Sequence, residues 1–345
     1  MKVSTKHFGT LPDGTEVKQF SFETDEALSV KISNFGAAIT SIRQPGKYNP
    51  PEEITAGFPI LEPYRVNDPY FGVTVGRFAN RIAKGIFSIG NKEYQLAVNN
   101  APNHLHGGIE AFHKQIWEPS LEEKPGKAIL ILKYISPDGE EGYPGQLIAT
   151  VIYTVSDDNS LEIRYEATSD KPTHINLTNH TYFNLGGFKG TVADHHLYLN
   201  ADQYLQFNNV QIPTGKLLPC QGTPMDFSQP QKLETQKIPE EKELDHCFVL
   251  NTARKKNEPA AMLYHEASGR RLTIFTTQPG IQVYTSNHLD GTLQGHEGTI
   301  YQKHHAICLE TQHFPDTPNQ SGFPSTLLRP GEIYRETNTW YFDTL

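Results

Sequence analysis

The chain has 345 residues, of which 39 are acidic and 30 are basic, so its formal net charge at pH 7 is −9. This charge argues against nucleic acid or an anionic membrane as a partner. No apolar run reaches the roughly 18 residues of a membrane-spanning helix, and the N-terminal residues lack the apolar core of a signal peptide.

The three cysteines, Cys220, Cys247 and Cys308, are odd in number and widely spaced. They form neither a CxxC motif nor a disulfide framework, so we expect free thiols in a reducing compartment. The sequence therefore predicts a cytoplasmic protein.

Strand patterns dominate from the first forty residues onward. IFSIGNKEYQLA predicts a hairpin that turns at Gly90–Asn91. AILILKYIS, GQLIATVIYTV and LEIRYEATS predict three strands, and the last alternates apolar with charged residues, as a half-buried antiparallel strand does. Residues 206–245, which include Pro213, Pro219, Pro224 and Pro230, are predicted to be mostly loop.

The chain contains no Gly/Ser linker, fixed-period repeat or long amphipathic helix. Many short strands with turn signals between them are typical of a sandwich or barrel. We therefore expect residues 1–345 to form one all-β domain, a large antiparallel β-sandwich.

The stretch HINLTNHTYFNLGG, residues 174–187, combines apolar and uncharged polar positions. With a period of two, Ile175 and Leu177 fall on one side, while the other side presents His180 and Tyr182. Such a row of hydrogen-bonding groups suits a ligand covered in hydroxyls. A polar edge strand whose histidine satisfies backbone groups is the alternative.

In HHAICLETQHF, Glu310 is a single carboxylate among small or neutral neighbours. A buried carboxylate is costly unless it is paired or used, and burial would raise its pKa toward the range of a general base. An exposed glutamate on a strand is the alternative.

Three further motifs supply possible sugar contacts. Asp245 in LDH can accept hydrogen bonds from neighbouring hydroxyls, or can cap a turn. Gln278 in TTQPG can bind a hydroxyl or be structural. Asn80 and Arg81 in GRFANRIAKG add an amide and a cation, which can also form a surface ion pair.

HLHGG places His104 and His106 two residues apart, so they would face the same way on an extended segment. Such a pair can begin a metal site, but no second motif supplies the remaining ligands. We therefore predict no metal. The chain also lacks a GxGxxG motif, a P-loop and a GxSxG elbow, which argues against nucleotide binding and serine hydrolase chemistry.

Taken in order, GRFANRIAKG, HLHGG, SPDGEEGYPG, NLTNHTYFNLGG, LDH, TTQPG and CLETQHFPD resemble the motifs of the aldose 1-epimerase (galactose mutarotase) family. The resemblance runs from about Phe8 to Phe342. It implies the galactose mutarotase-like supersandwich and an isomerase that interconverts the α and β anomers of free hexoses such as galactose and glucose, without a cofactor.

Carried over motif by motif, the resemblance implies that Glu310 is the catalytic base and His180 the catalytic acid. It assigns sugar binding to Asn80, Arg81, His106, Tyr182, Asp245 and Gln278. The expected partner is a monosaccharide, bound by a monomer or weak homodimer. A hexose-6-phosphate 1-epimerase and a non-catalytic sugar-binding protein on the same fold are the alternatives.

Overall fold

The computed structural model describes residues 1–66, 68–234, 243–251 and 258–345. In chain order the strands are β1 (Lys2–Thr10), β2 (Glu16–Glu23), β3 (Ser29–Ser33), β4 (Ala38–Gln44), β5 (Glu52–Glu53), β6 (Thr74–Val75), β7 (Arg81–Ile82), β8 (Ile86–Ile89), β9 (Lys92–Gln95), β10 (His104–Leu105), β11 (Glu118–Lys124), β12 (Lys127–Ser136), β13 (Leu147–Ser156), β14 (Ser160–Ser169), β15 (Thr173–His174), β16 (Thr178–Asn179), β17 (Tyr182–Phe183), β18 (His195–Leu199), β19 (Ala201–Phe207), β20 (Pro213–Pro219), β21 (Gln231–Lys232), β22 (Asp245–Leu250), β23 (Ala261–His265), β24 (Arg270–Thr276), β25 (Gly280–Tyr284), β26 (Ile307–Gln312), β27 (Leu327–Leu328) and β28 (Tyr334–Thr344).

Short 3₁₀-helical turns interrupt the strands at Glu62–Arg65, Ala83–Gly85, Phe112–Lys114, Glu140–Gly142, Val192–Asp194, His296–Gly298 and Thr317–Asn319. None of these turns exceeds four residues. In the described parts of the chain, no helix has the length and apolar character that crossing a bilayer requires. The prediction of an all-β fold is confirmed.

Three large sheets carry the architecture. The largest has nine strands in the order β11-β12-β13-β14-β28-β24-β23-β18-β21. A six-stranded sheet runs β17-β26-β25-β22-β19-β20, and a five-stranded sheet runs from β1 to β5. Neighbouring strands in all three sheets are antiparallel.

The nine-stranded and six-stranded sheets share one hydrophobic core. Val151 and Ile163 of the larger sheet are in the same buried cluster as Ile281 and Leu309 of the smaller one. Each such side chain contributes roughly 1.5–3 kcal/mol when it is removed from water. Because the two sheets bury apolar faces in a common core, the predicted antiparallel sandwich is confirmed.

The strands with clear alternation are where the sequence predicts them. β12, β13 and β14 pair in sequence, and β8 with β9 forms the predicted hairpin. In β14, Leu161 and Ile163 are buried while Glu162 and Arg164 remain partly exposed. The loop prediction for residues 206–245 is wrong at β21 and at β20, an edge strand of the six-stranded sheet that begins with a proline. Residues 235–242 of this range lie outside the described residues.

The stretch 174–187 is not one continuous strand. It contributes three two-residue strands, β15, β16 and β17, each paired with a different partner. Ile175 and Leu177 are in the core as predicted, but Asn176, on the polar side, is equally buried. The polar groups of this stretch are therefore buried inside the protein.

Arg77 connects the loop between β12 and β13 to the segment that leads to β7 through side-chain hydrogen bonds. Its side chain is buried, and Nε donates to Ser136 Oγ at 2.8 Å. Its two terminal nitrogens donate to the carbonyls of Ser136, Pro137, Pro144 and Gly145 at 2.7–3.1 Å. One guanidinium thus satisfies four buried or half-buried backbone acceptors.

We predict that Arg77→Met lowers the free energy of unfolding by about 3 kcal/mol or more, because these carbonyls lose a charged donor. Urea denaturation monitored by circular dichroism measures the loss. The matched control is Arg65→Met, since Arg65 is exposed and pairs with exposed Glu62, a contact worth less than about 1 kcal/mol. Equal small losses in both variants would contradict the prediction.

Candidate active site

A polar cavity of about 290 Å³ opens on the face of the six-stranded sheet that points away from the core. This volume is at the lower end of the range typical of small-molecule sites. Its lining residues are Asp68, Pro69, Tyr70, Asn80, Arg81, Asn100, Leu105, His106, His180, Tyr182, Asp245, Gln282, Tyr284, His288, Leu289 and Glu310.

The register of the six-stranded sheet builds the cavity floor. Tyr182 of β17 pairs with Cys308 of β26, and Gln282 of β25 pairs with Glu310 of β26. Paired residues of antiparallel strands point to the same side of a sheet. The intervening residues, such as Leu309, point into the main core instead. Strand alternation therefore separates an apolar face from a face that carries hydrogen-bonding groups.

His180 and Glu310 face each other in this cavity. His180 Nε2 is 3.6 Å from Glu310 Oε1, and the two residues are only 5% and 2% exposed. Glu310 Oε2 is buried, and none of the described residues forms a hydrogen bond with it. A carboxylate oxygen in this state is suited to receive a hydroxyl of a bound molecule.

Burial changes the proton affinity of both groups. It raises the pKa of Glu310 well above its ordinary value, with a further rise from the charge of Asp245 and an opposing effect from Arg81. Burial lowers the pKa of His180 to about 4. Burial therefore disfavours the charged form of both groups, which favours the neutral carboxyl of Glu310 and the neutral imidazole of His180.

The family resemblance implies a catalytic base at Glu310 and a catalytic acid at His180, and such a pair would begin the reaction with Glu310 ionised and His180 protonated, which is a different arrangement. The two arrangements contain the same number of protons and have the same net charge. They differ by the transfer of one proton between the two groups, whose nearest atoms are 3.6 Å apart.

His106 forms the second imidazole of the cavity wall. Its Nδ1 accepts a hydrogen bond from the backbone N–H of Asn80 at 3.2 Å, which fixes the ring. The ring centres of His106 and His180 are 5.2 Å apart in an edge-to-face arrangement. Tyr70 lies against both rings, at 4.7 and 5.9 Å, and adopts a positive φ of 63° that is rare for an aromatic residue.

Two polar pairs complete the walls. Arg81 Nε donates to Asn100 Oδ1 at 3.0 Å. Gln282 Nε2 donates to Asp245 Oδ1 at 2.6 Å, which orients a carboxylate at the edge of the cavity. The structure thus brings seven of the eight predicted site residues to one cavity, and these are Asn80, Arg81, His106, His180, Tyr182, Asp245 and Glu310.

Gln278 is the predicted residue that does not line the cavity. It is fully buried in the turn before β25, and its Nε2 donates to the carbonyl of Leu177 at 3.2 Å. Gln282, on the strand itself, lies in the cavity instead. In the sequence GIQVY, strand alternation places Gln282 and Tyr284 on the same face. This pattern could have identified Gln282 and Tyr284 as cavity residues from the sequence. No periodic signal marks Tyr70, which lies in an irregular segment.

The two histidines of the HLHGG motif have different surroundings in the structure. His104 Nδ1 bonds to the carbonyl of Ala97 at 2.7 Å and its Nε2 to the hydroxyl of Tyr143 at 2.8 Å, away from the cavity. The predicted common orientation is wrong because His106 has a φ of 52°, which turns the chain out of an extended conformation.

His106, His180 and Glu310 offer ligand atoms that lie within 4.8 Å of one another. Zinc bonds of about 2.0–2.2 Å bring ligand atoms closer than this, so these side chains would have to move together to hold the ion.

The sequence matches a family model described as aldose 1-epimerase over residues 18–339. The chain belongs to the aldose 1-epimerase family. It is 45% identical to galactose mutarotase of Mus musculus, with 99% of this chain and 98% of that protein covered. It is 32% identical to aldose 1-epimerase of Escherichia coli (strain K12), with 96% of each covered. The predicted family and the prediction of an isomerase of the mutarotase type are confirmed.

Solved structures of aldose 1-epimerase relatives have the same fold. An aldose epimerase homologue from C. elegans superimposes with a TM-score of 0.88 at 31% identity, covering 94% of this chain and 98% of that one. A galactose 1-epimerase from Lactobacillus acidophilus NCFM gives 0.87 at 29% identity, with 99% of both chains covered. The predicted galactose mutarotase-like supersandwich is therefore confirmed.

Buried histidines make the stability of this aldose 1-epimerase dependent on pH. Burial lowers the pKa of His106, His113, His174, His180 and His195 below the ordinary value of about 6.5. The unfolded chain therefore binds more protons between about pH 6.5 and 4, and stability is lost as pH falls through this range. Glu310, with its raised pKa, acts in the opposite sense, but burial also lowers the pKa of His104, His246, His265 and His305, so the histidines outnumber it.

We predict that the free energy of unfolding decreases between pH 7.5 and pH 5.0, measured by urea denaturation. His174→Gln should reduce the pH slope by up to about 1.4 kcal/mol per pH unit, because burial lowers the pKa of His174 to about 4. His7→Gln, at an exposed position, should leave the slope unchanged. A pH-independent stability over this interval would contradict the assignment of buried neutral histidines.

Proposed function

We propose that this protein interconverts the α and β anomers of free hexoses such as D-galactose and D-glucose. The observation that supports this most directly is the buried pair of His180 and Glu310, an acid and a base that share one side of a hexose-sized polar cavity. The relatives named galactose mutarotase support the choice of sugar. The proposal requires no metal or cofactor, since the reaction is a rearrangement of protons.

In the proposed mechanism, Glu310 takes the proton of the C1 hydroxyl while His180 donates its Nε2 proton to the ring oxygen. The bond between C1 and the ring oxygen breaks, which gives the open-chain aldehyde and a C5 hydroxyl. Rotation about C1–C2 presents the other carbonyl face, and the two proton transfers run in reverse. Each positioned proton transfer typically contributes about 10²–10⁴-fold to the rate.

Binding of the sugar favours the transfer of the proton from Glu310 to His180. The C1 hydroxyl donates a hydrogen bond to Glu310 Oε2, which stabilises the ionised carboxylate. The ring oxygen accepts from His180 Nε2–H, which stabilises the imidazolium. Binding therefore favours the ionised Glu310 and protonated His180 that the reaction needs, without a change in total charge.

The remaining hydroxyls are assigned to the polar walls of the cavity. We propose that Asn80, Arg81, His106, Tyr182 and Asp245 bind the sugar, with Gln282 in the role that the sequence assigned to Gln278. Asp245, held by Gln282, is suited to accept hydrogen bonds from two neighbouring hydroxyls.

A phosphorylated substrate is less well supported. Among the described residues that line the cavity, Arg81 is the single lysine or arginine, and its Nε is already bonded to Asn100. A phosphate usually requires a stronger cationic setting. We therefore propose that the free sugar, and not the hexose 6-phosphate, is the substrate.

The cellular setting is also a proposal. The three cysteines are free and buried, which suits a reducing compartment, and we propose a cytoplasmic enzyme of hexose metabolism. We propose further that residues 1–345 act as one domain, as a monomer or weak homodimer.

Polarimetry on freshly dissolved α-D-galactose and α-D-glucose tests the function. The protein should accelerate mutarotation of both sugars over the uncatalysed rate and have little effect on glucose 6-phosphate. Glu310→Gln and His180→Gln should each lower turnover by at least about 100-fold, because each removes one proton transfer. The matched control Glu118→Gln, at an exposed position on β11, should retain wild-type turnover.

Near-normal turnover in Glu310→Gln or His180→Gln would refute the assignment of that residue. Galactose binding without any acceleration of mutarotation would instead favour a non-catalytic sugar-binding protein. Faster conversion of glucose 6-phosphate than of glucose would favour the phosphate-specific alternative.

A further inference from the structure

The thiol of Cys308 is in contact with the nitrogen of His180 that faces away from Glu310. Cys308 Sγ is 3.6 Å from His180 Nδ1, a hydrogen-bonding distance for sulfur. The other ring nitrogen, Nε2, is 3.6 Å from Glu310 Oε1. The imidazole is therefore held between a thiol on one side and the catalytic carboxyl on the other.

Backbone pairing fixes this arrangement. Cys308 and Glu310 are two residues apart on β26, so they face the same side of the sheet. Cys308 is paired with Tyr182, which is itself two residues after His180. Cys308 is fully buried and His180 is 5% exposed, so solvent does not compete for the contact.

The side chain of Cys308 is a neutral thiol, whose sulfur can accept a hydrogen bond from Nδ1–H of His180 or donate one to Nδ1. Burial raises the pKa of the thiol well above its ordinary value, and the charges of Glu310 and Asp245 raise it further. The thiol is therefore not a thiolate at neutral pH.

We propose that Cys308 is a positioning residue whose sulfur accepts a hydrogen bond from the Nδ1–H of His180, so that Nε2 of the neutral imidazole faces Glu310 and the sugar. The inference rests on the proposed function, because it assigns a role within that proton transfer. It concerns the tautomer of His180, which the family resemblance leaves open.

The proton balance of ring opening requires this tautomer. Before the step, Glu310 is ionised and His180 carries protons on both nitrogens. After it, Glu310 holds the C1 hydroxyl proton, the sugar C5 oxygen holds the former Nε2 proton, and His180 keeps its proton on Nδ1. Ring closure requires Nε2 to accept the C5 hydroxyl proton, which only the Nδ1–H tautomer can do. The thiol neither gains nor loses a proton.

Sulfur is also a weak acceptor. It orients Nδ1–H but stabilises the imidazolium much less than a carboxylate would. His180 therefore remains a strong acid toward the weakly basic ring oxygen. A carboxylate at this position would hold the ring equally well but would weaken the acid.

Three variants and one spectroscopic measurement test the inference. Cys308→Ser keeps an acceptor, Cys308→Ala removes it, and Cys220→Ala is the matched control for loss of a buried thiol elsewhere. The tautomer is read from the ¹⁵N chemical shifts of His180 at pH 7, assigned by comparison with His180→Gln. Turnover and KM are measured by polarimetry, and urea denaturation checks folding.

We expect wild-type His180 to be the Nδ1–H tautomer. Cys308→Ala should lose at least about tenfold in turnover with little change in KM, and should show a mixture of tautomers. Cys308→Ser and Cys220→Ala should stay within about threefold of wild-type turnover.

An Nε2–H tautomer in the wild-type protein would overturn the inference, as would a Cys308→Ala variant with wild-type turnover and an unchanged tautomer. If Cys308→Ala fails to fold, the wild-type tautomer and the turnover of Cys308→Ser still decide. Because the tautomer is measured without substrate, a protein that lacks mutarotase activity would refute the proposed function while leaving the tautomer result readable.

Discussion

The contact between His180 and Glu310 is the feature on which the functional account depends. The two residues are 130 positions apart in the sequence, and short strand pairs bring them together. β17 and β26 pair through only two residues each, and β16 pairs with β6 at the other end of the same segment. The sandwich core fixes these strands, so the packing of the two sheets sets the distance between the His180 and Glu310 side chains.

The low solvent exposure of His180 and Glu310 determines how readily each side chain binds a proton. Exposed histidine and glutamate side chains would titrate near their ordinary values and be ionised together over a broad pH range. In the cavity, burial disfavours both charges, because it raises the pKa of Glu310 and lowers the pKa of His180. In the proposed mechanism, a hydroxyl-rich ligand changes these proton affinities through hydrogen bonds, and Cys308 orients the imidazole for the proton transfer.

Local alternation was sufficient to predict much of the fold. β12, β13, β14 and the β8–β9 hairpin follow from period-two patterns and turn residues, because their partners are adjacent in sequence. β20 could not be predicted in the same way, because the prolines suggest a loop and only its edge position makes a strand acceptable.

The sequence predicted which residues belong to the candidate site better than it predicted where their side chains lie. Motif order pointed to Glu310 and His180, but two details depend on tertiary structure. Gln278 and Gln282 are both polar residues next to a turn or strand, and only the strand register shows which one reaches the cavity. His104 and His106 look equivalent in sequence, and the positive φ of His106 separates them.

Infrared difference spectroscopy on the free protein tests the central claim most directly. A protonated, buried Glu310 should give a carboxylic acid C=O stretching band at pH 7 in the wild-type protein, and this band should be absent from Glu310→Gln. Saturating galactose should diminish the band as the carboxyl ionises. A wild-type spectrum at pH 7 without any band that Glu310→Gln removes would contradict the account, because the buried pair would then not hold its proton on the carboxyl.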